Sequence, residues 1–591
     1  MPVKRHSLTP NALLWILLAA WCALNLLQAS LTELADDEAY YWYFSQHLDW
    51  GYFDHPPMVA VLIWLTQGWL GGEIGVRLAA VLLQPLGLYI FWTLVRPSVP
   101  SRRDAVIYFL ACFSLPMLQL YGFLALPDAP LLFFTVIFLW AFRRFCNRDS
   151  WGNVLLMAGA MALLMYSKYH GALVIILALL SCLRLFRLPK FYVSLLLAVA
   201  LYSPHLWWLY THDFVTLRYH LVDRAYDAGF SLDKLLNYLL ILLMAFNPLW
   251  LYHYGKGLAT WWRESFTGLR RTLFFVLMGF VVFFLLASLR DYTQAQWLLP
   301  VNLAVVALLY DMARSNDRAF RYIRTTSIVI AALWIVVRLL VLFNPMQLKG
   351  ELWNNRADNQ ATAQLADGRP VLFMQSYTAS CKYRFYTGGQ AYTLPYLYDR
   401  DSQWHYDDSD DAFKGKELLV SLNENPYTDT LHLPSGKQLE YLYLPNFTPL
   451  RKVWIEPLNP LCDTLDENGL MPVRLLVRNP YPYDLYSTDE DPLQITFLYR
   501  IDQRHQPELN YPLTDTLHAQ SDIADTVCIQ VPATRLPATG EYLCGFSLRH
   551  QRLRSCLNSD RRKMLVERQE GRVIVGENNR RPLFQPHSQR Q

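Results

Sequence analysis

Residues 35–72 read ADDEAYYWYFSQHLDWGYFDHPPMVAVLIWLTQGWLGG. The apolar piece, Pro56–Gly71, decides the fold, because every later loop changes side if it crosses a membrane. A span needs roughly 20 mostly apolar residues. This piece is short, opens with Pro56-Pro57 and closes on Gly71-Gly72. It therefore reads as a helix lying at a membrane surface.

The rest of the chain supports that choice. Of its 591 residues, 53% are hydrophobic. Residues 11–344 are apolar run after apolar run, and residues 345–591 read like a soluble sequence. Eleven stretches qualify as spans: 11–29, 76–95, 104–123, 127–145, 152–167, 171–187, 191–211, 234–254, 272–289, 295–313 and 325–344. Lys4, Arg5 and His6 precede the first, and no small-x-small cleavage pattern follows it, so it reads as a retained helix. Lys and Arg concentrate on cytoplasmic loops. With the N-terminus inside, nineteen fall on inner segments and six on short outer ones. Counting Pro56–Gly71 as a span destroys this bias.

The expected product is a multi-pass α-helical membrane protein of about eleven spans in the cytoplasmic (inner) membrane. Its N-terminus is inside and its C-terminal region outside, on the periplasmic face. Residues 1–345 form the transmembrane domain, and 346–445 an extracytoplasmic α/β region. Residues 446–570 carry strand signals at Val473–Val477, Gln494–Arg500, Val527–Val531 and Glu541–Arg549, which read as a β-sandwich. Residues 571–591 read as a disordered tail. A net charge of +4 gives no reason to expect a nucleic-acid partner. The nine cysteines show no metal spacing, and Cys544–Cys556 is one candidate disulfide in an exported domain.

The topology collects polar residues on the outer face. The loop Ser30–Pro57 holds Glu33, Asp36, Asp37, Glu38, Asp49 and Asp54 with no Lys or Arg, among many aromatics including Tyr41. A merely solvated acidic loop would not carry those rings. Asp128 opens one span, and Lys168 and His170 end another. His220, Asp223 and Arg224 lie in a long outer loop, and Arg290, Gln296 and Trp297 at another junction. Charges at a membrane edge are costly unless paired or functional. Cations suit a lipid phosphate, and carboxylates suit a group that must lose a proton. Arg338, near the outer end of the last span, is placed either to bind a lipid phosphate or to snorkel.

Asp37-Glu38-Ala39-Tyr40-Tyr41 followed by Tyr52-Phe53-Asp54-His55-Pro56-Pro57 closely resembles the first outer loop of the GT-C glycosyltransferases. The nearest group is family 39, the protein O-mannosyltransferases and aminoarabinose transferases. Pro127-Asp128-Ala129-Pro130, Ser167-Lys168-Tyr169-His170-Gly171, Gln296-Trp297 with Pro300, and Ser376–Gly388 are further matching pieces, so the resemblance covers roughly residues 10–390. The aminoarabinose branch tends to carry Glu-Lys before Pro-Pro, where this chain has Asp54-His55.

The resemblance implies a transferase moving a sugar from a polyprenyl-phosphate donor to an acceptor hydroxyl on a lipid A-like glycolipid, a protein or a glycan. Asp37 is then the expected general base, with Glu38 and Asp54 orienting the acceptor or holding the loop. Lys168, Arg224 and Arg290 are expected to neutralise the leaving phosphate. His55 and His170 are expected to donate to phosphate or sugar. Tyr41, Asp128, His220, Gln296 and Trp297 complete the expected substrate contacts. No cofactor is obligatory on this reading, although paired carboxylates leave room for a divalent cation. A transporter or flippase of lipid-linked sugars is the alternative. Such proteins usually show paired halves with polar residues at the midplane, and the chain has no internal repeat.

Overall fold

The computed structural model describes residues 8–219, 231–264, 267–374, 376–394, 402–406, 408–422, 428–489, 491–501, 507–519, 525–556, 558–559, 562–569 and 571–577. They form two compact units, Met1–Asn355 and Arg356–Gln591.

The first unit is helical. Its elements are α1 (Pro10–Leu31), α2 (Asp36–Gln46), α3 (Met58–Gln67), α4 (Gly72–Val95), α5 (Arg102–Phe113), α6 (Pro116–Leu120), α7 (Asp128–Asn147), α8 (Trp151–Ser167), α9 (His170–Leu180), α10 (Pro189–Thr211), α11 (Val215–Arg218), α12 (Leu232–Ala245), α13 (Leu251–Glu264), α14 (Gly268–Ala287), α15 (Val301–Ser315) and α16 (Asp317–Phe343). Among the described residues six single helices, α1, α4, α7, α10, α14 and α16, are long and apolar enough to cross a membrane. The bent pair α12 and α13 raises the number to seven if counted as one span.

The eleven expected stretches therefore do not all become single helices. The stretch 104–123 breaks into α5 and α6, because Pro116 disfavours helical backbone at the residue before it. The stretch 234–254 becomes α12 and α13, bent by 76°. The bend falls at Asn247, held at φ 63° before Pro248. α8 and α9 are shorter apolar helices, and α15 carries Asp311 and Arg314 near its end. α15 is buried all round, as an apolar helix at the centre of a bundle should be. α16 leaves most of its apolar length exposed, as a lipid-facing helix should.

α3 is too short to span, at about 15 Å. Beyond its buried Val59, Ala60 and Ile63 it leaves Trp64, Leu65, Trp69 and Leu70 exposed, a suitable face for an interface.

The second unit begins within α17 (Asn355–Ala366) and holds two sheet systems. The first is an α/β sheet of β1 (Val371–Met374), β2 (Ala391–Leu394), β3 (Leu418–Ser421), β4 (Asp429–His432) and β5 (Gln438–Leu444), with α18 (Tyr377–Thr387) between β1 and β2. Strand order is β2-β1-β3-β5-β4, parallel through the first three. The second is a two-sheet β stack of β6 (Trp454–Pro457), β7 (Asp463–Asp466), β8 (Leu470–Arg478), β9 (Leu493–Arg500), β10 (Glu508–Pro512), β11 (Asp525–Pro532), β12 (Gly540–His550), β13 (Arg562–Gln569) and β14 (Arg572–Glu577). Six strands run β10-β9-β12-β13-β14-β7 and three run β11-β8-β6, around a core that includes Leu475, Val477, Phe497, Phe546, Val566 and Val573.

Two expectations are corrected here. The tail does not begin at 571, because β14 pairs with β13 and β7 and buries Val573 and Val575. Cys544 and Cys556 are both buried and are not joined in a disulfide. Burial pushes the Cys544 thiol up to about 12.

Candidate active site

The bundle brings together one end of α1, the loop Ser30–Pro57, the start of α4, the start of α7 and the break between α8 and α9. Arg77 is the fastener. It is fully buried on α4, and all its N–H groups are used. Nε donates to Glu38 Oε1 at 2.7 Å and Nη2 to Glu38 Oε2. Nη1 donates to the carbonyls of Ala29 and Thr32 and to the Thr32 hydroxyl, and Nη2 also to the Glu33 carbonyl. This is the fork geometry that sets Arg apart from Lys.

Glu38 is equally occupied. Besides Arg77 it accepts the backbone N–H of Ala125 at 2.8 Å and that of Ala35 at 3.0 Å. Both its oxygens are spent on holding α2 against α4 and the segment before α7. Asp37, one residue earlier in the first turn of α2, is exposed. Adjacent carboxylates thus differ completely in surroundings.

Asp128, at the first position of α7, and Lys168, at the end of α8, form a buried ion pair. Nζ lies 2.8 Å from each carboxylate oxygen. Tyr121, just after α6, lies within electrostatic range of both Asp128 and Asp37. Lys168 is therefore a cation already matched by a carboxylate, not an unattended phosphate ligand.

The rest of the loop is pinned by aromatic donors. The Tyr52 hydroxyl donates to the carbonyls of Phe44 and His47 and accepts the Asp49 N–H. Burial pushes that phenol up, so it stays a donor. Trp208 Nε1 on α10 donates to Asp49 at 2.7 Å. His205 Nδ1 faces the Trp50 carbonyl, which can only accept, so Nδ1 donates and Nε2 accepts the Tyr169 hydroxyl. Gly51 lies under these rings, and a Cβ there would come within 2.4 Å of Trp208. Asp54 is buried and within electrostatic range of Tyr169. Tyr41 is buried, with its ring set edgewise on that of His55.

A second group lies at α9, α14 and the turn before α15. His170 packs on Phe284 and Trp297. Gln296 donates to Gln294. Arg290 is exposed, and its carbonyl accepts Lys234 Nζ. His220 and Arg224 lie outside the described residues. Arg338 does not snorkel. It is buried on α16, donating to Asn25 and to the side chain and carbonyl of Gln119.

Arg77 is not among the site residues that the sequence singles out. Its signal in the sequence is an arginine at the edge of an apolar span, a placement that calls for a partner. Tyr121, Trp208 and His205 carry no comparable signal.

A family model described as dolichyl-phosphate-mannose-protein mannosyltransferase matches residues 54–208. That span contains Asp54, His55, Asp128, Lys168 and His170 but not Asp37 or Glu38. The lipid A galacturonosyltransferase RgtD of Rhizobium johnstonii is 29% identical over 233 residues, covering 36% of this chain and 46% of RgtD. The lipopolysaccharide core galacturonosyltransferase RgtA of the same organism is 29% identical over 175 residues, covering 28% of this chain and 34% of RgtA. The chain thus spans less than half the length of these curated relatives. ArnT of Cupriavidus metallidurans bound to undecaprenyl phosphate superposes with a TM-score of 0.55 at 14% identity, covering 72% of this chain and 97% of ArnT. Its apo form gives 0.54 at 12% identity.

The chain is a membrane protein of the GT-C fold, the architecture its first loop resembles. Its matched relatives within that architecture are galacturonosyltransferases of lipid A and of the lipopolysaccharide core.

Proposed function

We propose that the protein is a glycosyltransferase of the inner membrane. It moves a sugar, a hexuronic acid such as galacturonic acid, from a polyprenyl-phosphate donor to a hydroxyl of lipid A or the lipopolysaccharide core on the periplasmic face. The observation that carries this is the division of labour between Asp37 and Glu38. Glu38 is locked in a buried ion pair with Arg77, and this presents Asp37, exposed, at the start of α2. A base must reach the proton it takes, and only the exposed carboxylate is open to an acceptor.

In the proposed reaction the acceptor oxygen attacks the anomeric carbon, Asp37 takes its proton, and the polyprenyl phosphate leaves. The Lys168–Asp128 pair lies nearby, and Lys168 turns part of its charge toward the phosphate as that charge develops. His55 and His170 serve the donor head group, with Arg290 and the outer-loop residues His220 and Arg224 as further candidates. On this reading no divalent cation is obligatory, because the charges that act on the leaving phosphate come from side chains. EDTA should leave the rate within about twofold, and abolition restored by Mg²⁺ would reverse this point.

The test supplies purified protein with radiolabelled undecaprenyl-phosphate galacturonic acid and lipid A in detergent, then separates the lipids. Label appearing in lipid A supports the reading. Label that crosses a vesicle bilayer without changing carrier would establish the transporter instead.

A further inference from the structure

The N-terminus of α2 lacks the cap its position demands. A helix start leaves backbone N–H groups without internal partners, and the capping residue, Ala35, has no side chain to offer. The missing acceptor comes from the other end of the first unit. Glu351 Oε2 accepts the N–H of Asp36, a residue 315 positions earlier, at 3.2 Å. Asn355 Nδ2 donates to the Leu34 carbonyl and to the Glu351 carbonyl. The Asn355 N–H is in turn accepted by Glu33 Oε2.

These contacts belong to a strap, residues 344–355. It leaves α16 through Asn344, turns back at Gln347 and Asn354, both at positive φ, and is fixed on α16 by Trp353 Nε1 donating to the Val341 carbonyl at 3.0 Å. The chain continues from the strap into the second unit. Asp37 therefore sits between two clamps. Glu38 on one side is held by the bundle through Arg77, and Asp36 on the other is held by the strap through Glu351.

We propose that Glu351 and Asn355 are positioning residues for Asp37, so that the exit of the chain into the second unit sets the aim of the base. This rests on the reading of Asp37 as the base. A misplacement of about 1 Å can cost about a hundredfold in rate, so a single lost hydrogen bond at the start of α2 has a kinetic consequence.

Full-length E351A, E351Q and N355A proteins are compared by hydrogen exchange and by steady-state transfer from undecaprenyl-phosphate galacturonic acid. In E351A the amides of residues 36–39 should exchange about fivefold faster, the size of a lost cap. Amides of α5 should be unchanged. The kcat should fall about tenfold with donor KM within about twofold. E351Q, whose amide oxygen accepts the same N–H, should recover to within about twofold of wild type. If E351A does not fold, N355A is read in its place. Wild-type exchange at residues 36–39 in E351A and N355A would overturn the strap's role. So would faster exchange with unchanged kcat, or an equal loss in E351Q. Absence of transfer by the wild type counts against the functional reading alone, and the exchange ratio still decides whether the strap holds α2.

Discussion

The two ends of the helical bundle carry ion pairs of the same chemical type in opposite surroundings. At the end holding α2, Arg77–Glu38 is 0%/0% exposed and Lys168–Asp128 is 7%/4% exposed. At the other end, where α1 and α5 start and α4 and α15 finish, Arg270–Asp311 is 44%/19% exposed and Arg314–Asp104 is 39%/12% exposed. Exposed pairs contribute about 0–1 kcal/mol, because water screens them and long side chains must be held still. Breaking a buried pair costs about 3–5 kcal/mol, because a desolvated charge is left behind. The same residue types thus do different work. At one end they dress a surface. At the other they fix the position of a helix start.

The comparison can be broken most easily at Arg77. Arg77→Ala should lower stability by about 3–5 kcal/mol and abolish transfer, read by thermal unfolding and product formation. Arg77→Lys should fail nearly as badly, since an ammonium cannot reproduce the fork. A mildly perturbed R77K protein would show that the clamp is only charge.

Lys168 and Asp128 sharpen it next. Either single neutral substitution should destabilise by about 3–5 kcal/mol, while Lys168→Met with Asp128→Leu should recover much of that loss. The double variant should still transfer poorly if Lys168 also meets the leaving phosphate. Full activity in a stable double variant would confine the pair to packing.

Gly51→Ala is a smaller probe of the same end. Its methyl must push against Trp208 and His205, which should cost about 1–3 kcal/mol and loosen the loop. At the opposite end, Arg270→Ala should change stability by less than about 1 kcal/mol and leave transfer intact. A large effect there would erase the contrast between the ends.

Much of this was legible in the sequence, and what was not has definite causes. The short helix after Pro56-Pro57 shows in length and punctuation alone, and α3 follows it. Four expected strands fall inside β8, β9, β11 and β12, because alternation is a local signal. Pairing is not local. Glu38 and Arg77 are 39 positions apart, and Asp36 and Glu351 are 315 apart. A hydropathy profile cannot say which charged residue meets which. It also does not show where an apolar stretch is broken, since the break at Pro116 and the 76° bend at Asn247 leave apolar composition untouched. β14 escaped notice because Arg572 and Glu577 frame it in a charged stretch, and only Val573 and Val575 face the core.

The central claim is that Asp37 reacts while Glu38 only holds. Steady-state transfer and thermal unfolding of Asp37→Asn, measured side by side, test it most directly. The rate should fall at least about a hundredfold, the scale of a lost general base, with the unfolding temperature unchanged because Asp37 is exposed. Retained transfer by Asp37→Asn would contradict the account.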